Sequence, residues 1–180
     1  MLREFNKLCK EKTLCEIYTD AADTNTFGVG LILACDEEFY ILNCVDKYGF
    51  YDGVTCALIA DVYRISTDTV YLKEISKLAD YNKVSLEDKT SYCDNLIIGF
   101  LNRIKDEKRI CAIELCESDC DDVYGRITEV DSTQEIIKIA TVDSHGQNDG
   151  ITVIDIKSVS EVYYRTRYTE RLEALNGQEQ

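Results

Sequence analysis

The chain has 180 residues, 45% of them apolar and 30% charged, with 34 acidic against 20 basic side chains and a formal net charge of −14. That balance fits one medium or two small globular domains and argues against disorder, against a membrane span of roughly 20 apolar residues, and against a phosphate-backbone ligand, since the basic residues are scattered. The N-terminal run Met1-Leu2-Arg3-Glu4-Phe5 has no apolar stretch of the kind that directs secretion, so the expected location is cytoplasmic.

The elements are read in chain order. Leu2, Phe5 and Leu8 have the spacing of one helical face, so a short amphipathic helix opens the chain. Thr13 to Tyr18, Phe27 to Ala34 and Phe39 to Val45 read as strands, with the polar break Cys35-Asp36-Glu37-Glu38 between the last two. Asp52-Gly53 reads as a turn because Gly accepts positive φ at low cost, and a fourth strand follows to about Ile59. A very short fifth strand covers Val62 to Ile65, and a helix carrying Tyr71, Ile75 and Leu78 ends the series. Polar residues 83–90 read as a linker between a unit at 1–82 and a second at 91–180, where Ser91-Tyr92-Cys93-Asp94 offers a capping-box helix start.

The second unit repeats the first. Val45-Asp46-Lys47-Tyr48-Gly49-Phe50-Tyr51-Asp52-Gly53-Val54-Thr55 matches Val142-Asp143-Ser144-His145-Gly146-Gln147-Asn148-Asp149-Gly150-Ile151-Thr152 at an offset of 97. Over 27–78 against 124–175 there are thirteen identities in fifty-two ungapped pairs, with Phe27-Gly28 facing Tyr124-Gly125. Before Phe27 the offset becomes 96, so that Leu14-Cys15-Glu16-Ile17 faces Ile110-Cys111-Ala112-Ile113. The second unit therefore carries a helix with Ile97, Phe100, Leu101 and Ile104. Its strands fall at Arg109 to Leu115, Tyr124 to Val130, Ile136 to Val142, up to Ile156, and Val159 to Tyr163, and its closing helix ends before Asn176-Gly177. A repeat of this length suits a small domain better than a solenoid unit.

A helix followed by five short strands is the order of a small SH3-like barrel, which buries one alternating face and limits exposed edges. The fold expected is mainly β with short flanking helices, arranged as two tandem five-stranded barrels. The run Gly28-Val29-Gly30-Leu31-Ile32-Leu33-Ala34-Cys35-Asp36-Glu37-Glu38-Phe39-Tyr40-Ile41-Leu42 resembles the first motif of Sm-like proteins, a Gly-containing strand leading to an Asp and a further strand. The resemblance implies the Sm-like fold in each unit. It does not carry the RNA-binding residues. Tyr40 and Ile137 stand where the family has its base-contacting Asn, and Ala60-Asp61 and Lys157-Ser158 stand where it has Arg-Gly.

Among candidate sites, Asp46 and Asp52, repeated as Asp143 and Asp149, are carboxylate pairs that could hold a cation or a basic side chain. The same residues also read as turn formers, Asp capping its own backbone and Gly supplying the dihedral angles. Tyr48 and His145 occupy one equivalent position beside them. His145 is the chain's single His, and no third group is nominated to orient it for catalysis. Cys116 and Cys120 lie among Glu114, Glu117, Asp119, Asp121 and Asp122, readable as a weak metal motif or as a solvated acidic loop. The nine Cys lack framework spacing and read mostly as small buried hydrophobes.

The expected function is that of a non-catalytic module for protein interaction or self-association, with no cofactor, no membrane span and nucleic acid an unlikely ligand. The alternative is a degenerate Sm-like RNA-binding protein.

Overall fold

The computed structural model describes residues 1–23, 25–86, 92, 95–116 and 122–177. The chain divides into two compact units, Met1–Leu96 and Ile97–Gln180.

In the first unit, helix α1 (Leu2–Glu11) leads into strands β1 (Leu14–Tyr18), β2 (Gly28–Cys35), β3 (Phe39–Val45) and β4 (Tyr51–Leu58). A single 3₁₀ turn at Ile59–Asp61, strand β5 (Arg64–Thr67) and helix α2 (Val70–Tyr81) complete it. The strands are antiparallel and ordered β5-β1-β2-β3-β4. The two faces of this sheet are covered differently. Cys15, Ile17, Ile32, Tyr40 and Leu42 pack with Phe5 and Leu8 of α1, whereas Val29 and Val45, with Leu14 beside them, pack with Leu72, Ile75 and Ala79 of α2.

The second unit repeats that sequence of elements: α3 (Leu96–Glu107), β6 (Ile110–Leu115), β7 (Val123–Asp131), β8 (Ile136–Val142), β9 (Asn148–Asp155), a 3₁₀ turn at Ile156–Ser158, β10 (Val159–Tyr164) and α4 (Arg167–Asn176). Its strand order is β10-β6-β7-β8-β9. On one face Phe100 of α3 meets the buried Tyr164 ring edge-on at 5.5 Å, and on the other Leu172 of α4 packs with Ile110 and Val142.

Local devices recur at equivalent positions. Both leading helices end at a lysine in the left-handed region, Lys12 (φ 49°) and Lys108 (φ 55°), and the next N–H returns to the helix, Thr13 to the Leu8 carbonyl and Arg109 to the Ile104 carbonyl. Both closing helices are N-capped by threonine: Thr69 Oγ1 accepts from Leu72 N–H at 3.1 Å and Thr166 Oγ1 from Thr169 N–H at 3.2 Å.

Three expectations are corrected. The mainly antiparallel β architecture with short helices is observed, but the sheet is open: in neither unit are the first and last strands of the row paired with each other. In the first unit a helix covers each face, so burial is achieved without closing a cylinder. Next, the linker placed at 83–90 starts too early. Val84 and Leu86 pack beside α2, Val84 N–H donates to the Ala79 carbonyl at 3.0 Å, and Asn43 Nδ2 donates to the Leu86 carbonyl at 2.6 Å, so 83–86 belong to the first unit. Residues 87–90 of that linker, and Ser91, Cys93 and Asp94 of the expected capping box, lie outside the described residues.

Finally, the equivalence of Phe27-Gly28 with Tyr124-Gly125 is displaced. Cys15 faces Gly30, and Cys111 faces Gly125, so Gly30 is the counterpart of Gly125. A Cβ on Gly30 or Gly125 would lie 2.2 or 2.3 Å from the carbonyl oxygen of Asn43 or Ala140, which are themselves 97 apart. The β7–β8 hairpin has one more residue pair beyond its bulge than the β2–β3 hairpin, and this restores the offset of 97 downstream.

The turn between the third and fourth strands sits directly against the closing helix. Gly49 (φ 75°) and Gly146 (φ 80°) adopt a backbone that L side chains disfavour, and a Cβ there would come within 2.5 Å of Leu78 Cβ or 2.7 Å of Leu175 Cβ. Gly49→Ala and Gly146→Ala are expected to cost about 2–5 kcal/mol, combining about 1–2 for the left-handed backbone with about 1–3 for overpacking. Gly150→Ala, where a Cβ meets nothing within 4 Å, is expected to cost only the backbone part. Urea unfolding of the three variants checks this; equal losses would remove the helix contact from the explanation.

Candidate functional site

The retained Asp residues hold their own turns together. Asp46 Oδ1 accepts backbone N–H groups from Tyr48 (2.9 Å) and Phe50 (2.8 Å), and Asp143 Oδ1 accepts those of His145 (2.9 Å) and Gln147 (2.8 Å). An asparagine at the end of the closing helix bonds each turn from outside: Asn82 Nδ2 donates to the Tyr48 carbonyl at 2.9 Å, and Asn176 Nδ2 to the Gly146 carbonyl at 2.8 Å. Tyr48 and His145 are exposed at the turn tips, and the Lys47 ammonium lies 5.2 Å from the Tyr48 ring centre.

Asp52 and Asp149 are not in the turns. They lie inside β4 and β9, beside Gly53 (φ 90°) and Gly150 (φ 97°), where two residues oppose one on the neighbouring strand. Asp-Gly therefore marks a bulge, and the turn itself is the Asp-x-x-Gly segment before it. The geometry matches the turn-forming reading of Asp46, Gly49, Asp143 and Gly146. Among the described residues no three His, Cys, Asp or Glu side chains are grouped to hold a metal ion.

The Sm-like base-contacting position is buried in both units. Tyr40 is 3% exposed with its ring 4.7 Å from Phe5, and Ile137 is fully buried, so neither side chain can stack on or bond to a base. Ala60-Asp61 and Lys157-Ser158 fall in the two 3₁₀ turns.

The seven described cysteines carry thiols rather than disulfides. Cys15 and Cys111 occupy equivalent places, each Sγ donating to a carbonyl 3.6 Å away, that of Gly30 or Gly125. Burial pushes both thiols up to about 12, with the neighbouring Glu16 carboxylate adding to the effect at Cys15. Cys116 is exposed, its N–H bonded to the Ser158 carbonyl at 2.7 Å; Glu117, Asp119, Cys120 and Asp121 of the acidic Cys loop lie outside the described residues.

Two features escaped sequence reasoning. One is an acid bonded to hydroxyl groups in each unit, buried in the first and half-buried in the second. Glu16, 4% exposed, accepts from Tyr18 Oη at 2.6 Å and from Thr69 Oγ1 at 2.5 Å. In the second unit Asp122 Oδ2 accepts from Tyr163 Oη and, at 3.1 Å, from Tyr124 Oη. Burial first, and then these bonds to Asp122 and Tyr124, raise the Tyr163 phenol far above the ordinary tyrosine range. The available signal was Glu16 itself, a charge inside the apolar strand Leu14-Cys15-Glu16-Ile17-Tyr18.

The other is a cleft of about 310 Å³ between the sheet and α2, lined by Leu14, Leu31, Val45, Ile75, Ala79 and Leu86. Its lining comes from five separate stretches of chain, so no local motif announces it. Comparison of the chain with family models, with curated proteins and with solved structures finds no match.

Two measurements probe this geometry. The Gln147 N–H bond lowers the Asp143 carboxyl most, burial opposes it, and the His145 N–H bond adds to the lowering. A carboxyl lowered in the folded state stabilises above its unfolded pKa of about 3.9, and that contribution is lost as pH falls through the folded value. The melting temperature of the wild type relative to Asp143→Asn should therefore be higher at pH 6 and converge below pH 3. A gap that stays constant across that range would show that the negative charge has no part in the turn. For the thiols, iodoacetamide at pH 8 should modify Cys116 in the native protein and reach Cys15 and Cys111 only after unfolding, as read by peptide mass spectrometry.

Proposed function

We propose that the chain is a non-catalytic association module built from two Sm-like units, and that it pairs with a second copy of itself through a sheet edge. The Sm-like part of this reading is supported by the leading helix, the strand order β5-β1-β2-β3-β4 repeated as β10-β6-β7-β8-β9, and the short fifth strand after a 3₁₀ turn.

The association part rests on one observation, the character of β9. It stands last in its row and pairs with β8 along its length, and on it Ile151 is 74% and Val153 57% exposed. An eight-residue edge strand without Pro, carrying β-branched apolar side chains in water, is the kind of surface that another strand extends through backbone hydrogen bonds. Edges of this length are ordinarily blunted by Lys, Pro or covering segments. β9 carries only Asp149 and Asp155 as charges, near its two ends.

The buried Tyr40 and Ile137 and the net charge of −14 weigh against RNA as the ligand. No helix among the described residues is long and apolar enough to cross a membrane.

Light scattering coupled to size exclusion tests the reading. The wild type at about 100 μM should run above the monomer mass, and Ile151→Lys with Val153→Lys should return it to the monomer without changing the circular dichroism spectrum, because both side chains are exposed. A wild type that is monomeric at that concentration, or a double variant with unchanged mass, overturns self-association through β9.

A further inference from the structure

Two half-buried thiols of the first unit come together on one face of its sheet. Cys9 lies in the last turn of α1, one turn beyond Phe5 on the same side of the helix, and its Sγ donates to the Leu33 carbonyl of β2 at 3.2 Å. Cys35 lies on β2 two residues past Leu33, opposite Tyr40, whose ring is 4.7 Å from that of Phe5. A bulge at Leu33 turns Cys35 this way. Ile32 pairs with Leu42 and Ala34 with Ile41, so the extra residue shifts the alternation and brings Cys35 to the face that α1 covers. Both thiols pack against the cluster that holds Phe5, Leu8, Ile32, Tyr40 and Leu42, and both keep part of their surface in water.

Their mutual electrostatics agree with this placement. Burial does most to push the Cys35 thiol up to about 11, and the Cys9 thiol adds more than the Asp36 carboxylate next to it in sequence. Burial raises Cys9 as well. The second unit has no such pair. Lys105 stands where Cys9 does, three residues before the left-handed lysine that ends each helix, and Val130, opposite Ile137, stands where Cys35 does. Cys44 packs on the same cluster but lies opposite Gly30, toward the other end of β2, with its Sγ 3.8 Å from Thr55 Oγ1.

We propose that Cys9 and Cys35 are an oxidation site that hydrogen peroxide closes to an intramolecular disulfide, tying the last turn of α1 to β2. The Cys9 thiolate attacks a peroxide oxygen, the O–O bond breaks, and the hydroxide released takes up a proton as the sulfenic acid forms. Cys9 acts first because the Asp36 carboxylate beside Cys35 disfavours a second negative charge there. The Cys35 sulfur then attacks the Cys9 sulfur, the S–S bond forms, the S–O bond breaks, and the leaving hydroxyl departs as water with the Cys35 proton. Two thiols and one peroxide give one disulfide and two waters. Thiols raised in this way are rarely ionised at neutral pH, so closure is slow. They are also poor leaving groups, so the bond once made yields slowly to other thiols. The proposal does not depend on self-association, since both residues belong to the first unit.

The experiment treats the dilute full chain with hydrogen peroxide at pH 8, blocks the remaining thiols with N-ethylmaleimide in urea, and maps linked peptides by mass spectrometry. Trypsin combined with a Glu-specific protease places Cys9 and Cys35 on separate peptides that hold no other Cys. A Cys9–Cys35 link that dithiothreitol releases is the expected product, with Cys15 and Cys44 recovered as maleimide adducts. The bond closes a loop of about 27 residues in the unfolded chain, so the melting temperature should rise by about 5–15 °C and return on reduction. In Cys35→Ser the Cys9 sulfenic acid should persist and be trapped by dimedone. Three results overturn the proposal: no Cys9–Cys35 link while Cys116 is oxidised, either cysteine linked mainly to another one, or a linked chain that melts no higher than the reduced one, which would mean that the bond forms only in a distorted fold. All three use the wild type and stand even where the variant fails to fold.

Discussion

The close approach of the β3–β4 turn to the closing helix is the constraint on which the rest of the first unit depends. A fourth strand can return antiparallel to the third only after a tight reversal, and here that reversal must also leave room for α2. Gly49 meets both needs, with a φ of 75° and a missing side chain where Leu78 Cβ would be 2.5 Å away. The Asp46 carboxylate fixes the turn from inside through two N–H groups, and Asn82 fixes it from outside. With the turn held to the helix end, α2 lies along the face that contains Val29 and Val45, and Leu72, Ile75 and Ala79 become core residues. The second unit meets the constraint with Gly146, Asp143 and Asn176 against Leu175. This explains why the most similar stretch of the two halves is a turn: it combines a dihedral requirement, a steric requirement and a capping bond in one short segment, and few residue types satisfy all three.

How much of this was legible in the sequence depends on whether a feature leaves a local trace. Strands β3 and β8 fall at Phe39–Val45 and Ile136–Val142, where alternation and β-rich composition put them, because both are bounded by polar turns. The register of β2 was not legible in the same way. An extra pair in the β7–β8 hairpin adds one residue to each strand, which leaves both turn chemistry and the alternation of faces intact, so an ungapped alignment slides past it. What reveals it is Gly125, whose absent Cβ is required by the Ala140 carbonyl just as that of Gly30 is required by the Asn43 carbonyl. Closure of the sheet was misjudged for a related reason. Alternation identifies buried positions without saying whether a helix or another strand covers them. The four successive apolar residues Phe39-Tyr40-Ile41-Leu42 are the sign in the sequence that both faces of β3 are covered, and all four are buried.

The candidate sites divide along the same line. Asp46 and Asp143 stood out because they recur, and the recurrence reflects folding: each spends a carboxylate oxygen on its own backbone, and Tyr48 and His145 merely ride on the turn tips. Features that distinguish the two units carry more functional information than those they share. Glu16 and Asp122 show how freely equivalent ground is rebuilt. One unit takes its acid from the first strand and the other from the residue before the second, yet each accepts from tyrosine: Glu16 from Tyr18, Asp122 from Tyr124 and Tyr163.

The clearest divergence lies between the sheet and the closing helix. Filling this region with Arg109, Arg126 and Glu173 requires that each charge find a partner, and the second unit supplies them through an ion pair and through backbone groups at the ends of α3 and β6. Such an arrangement stabilises little beyond what an apolar filling would achieve, since desolvation offsets most of the attraction. The first unit instead lines this region with Leu14, Leu31, Val45, Ile75 and Ala79 and leaves a cleft of about 310 Å³ open. The two units thus build the same place in the fold from different chemistry, apolar side chains in one and a paired acid and base in the other.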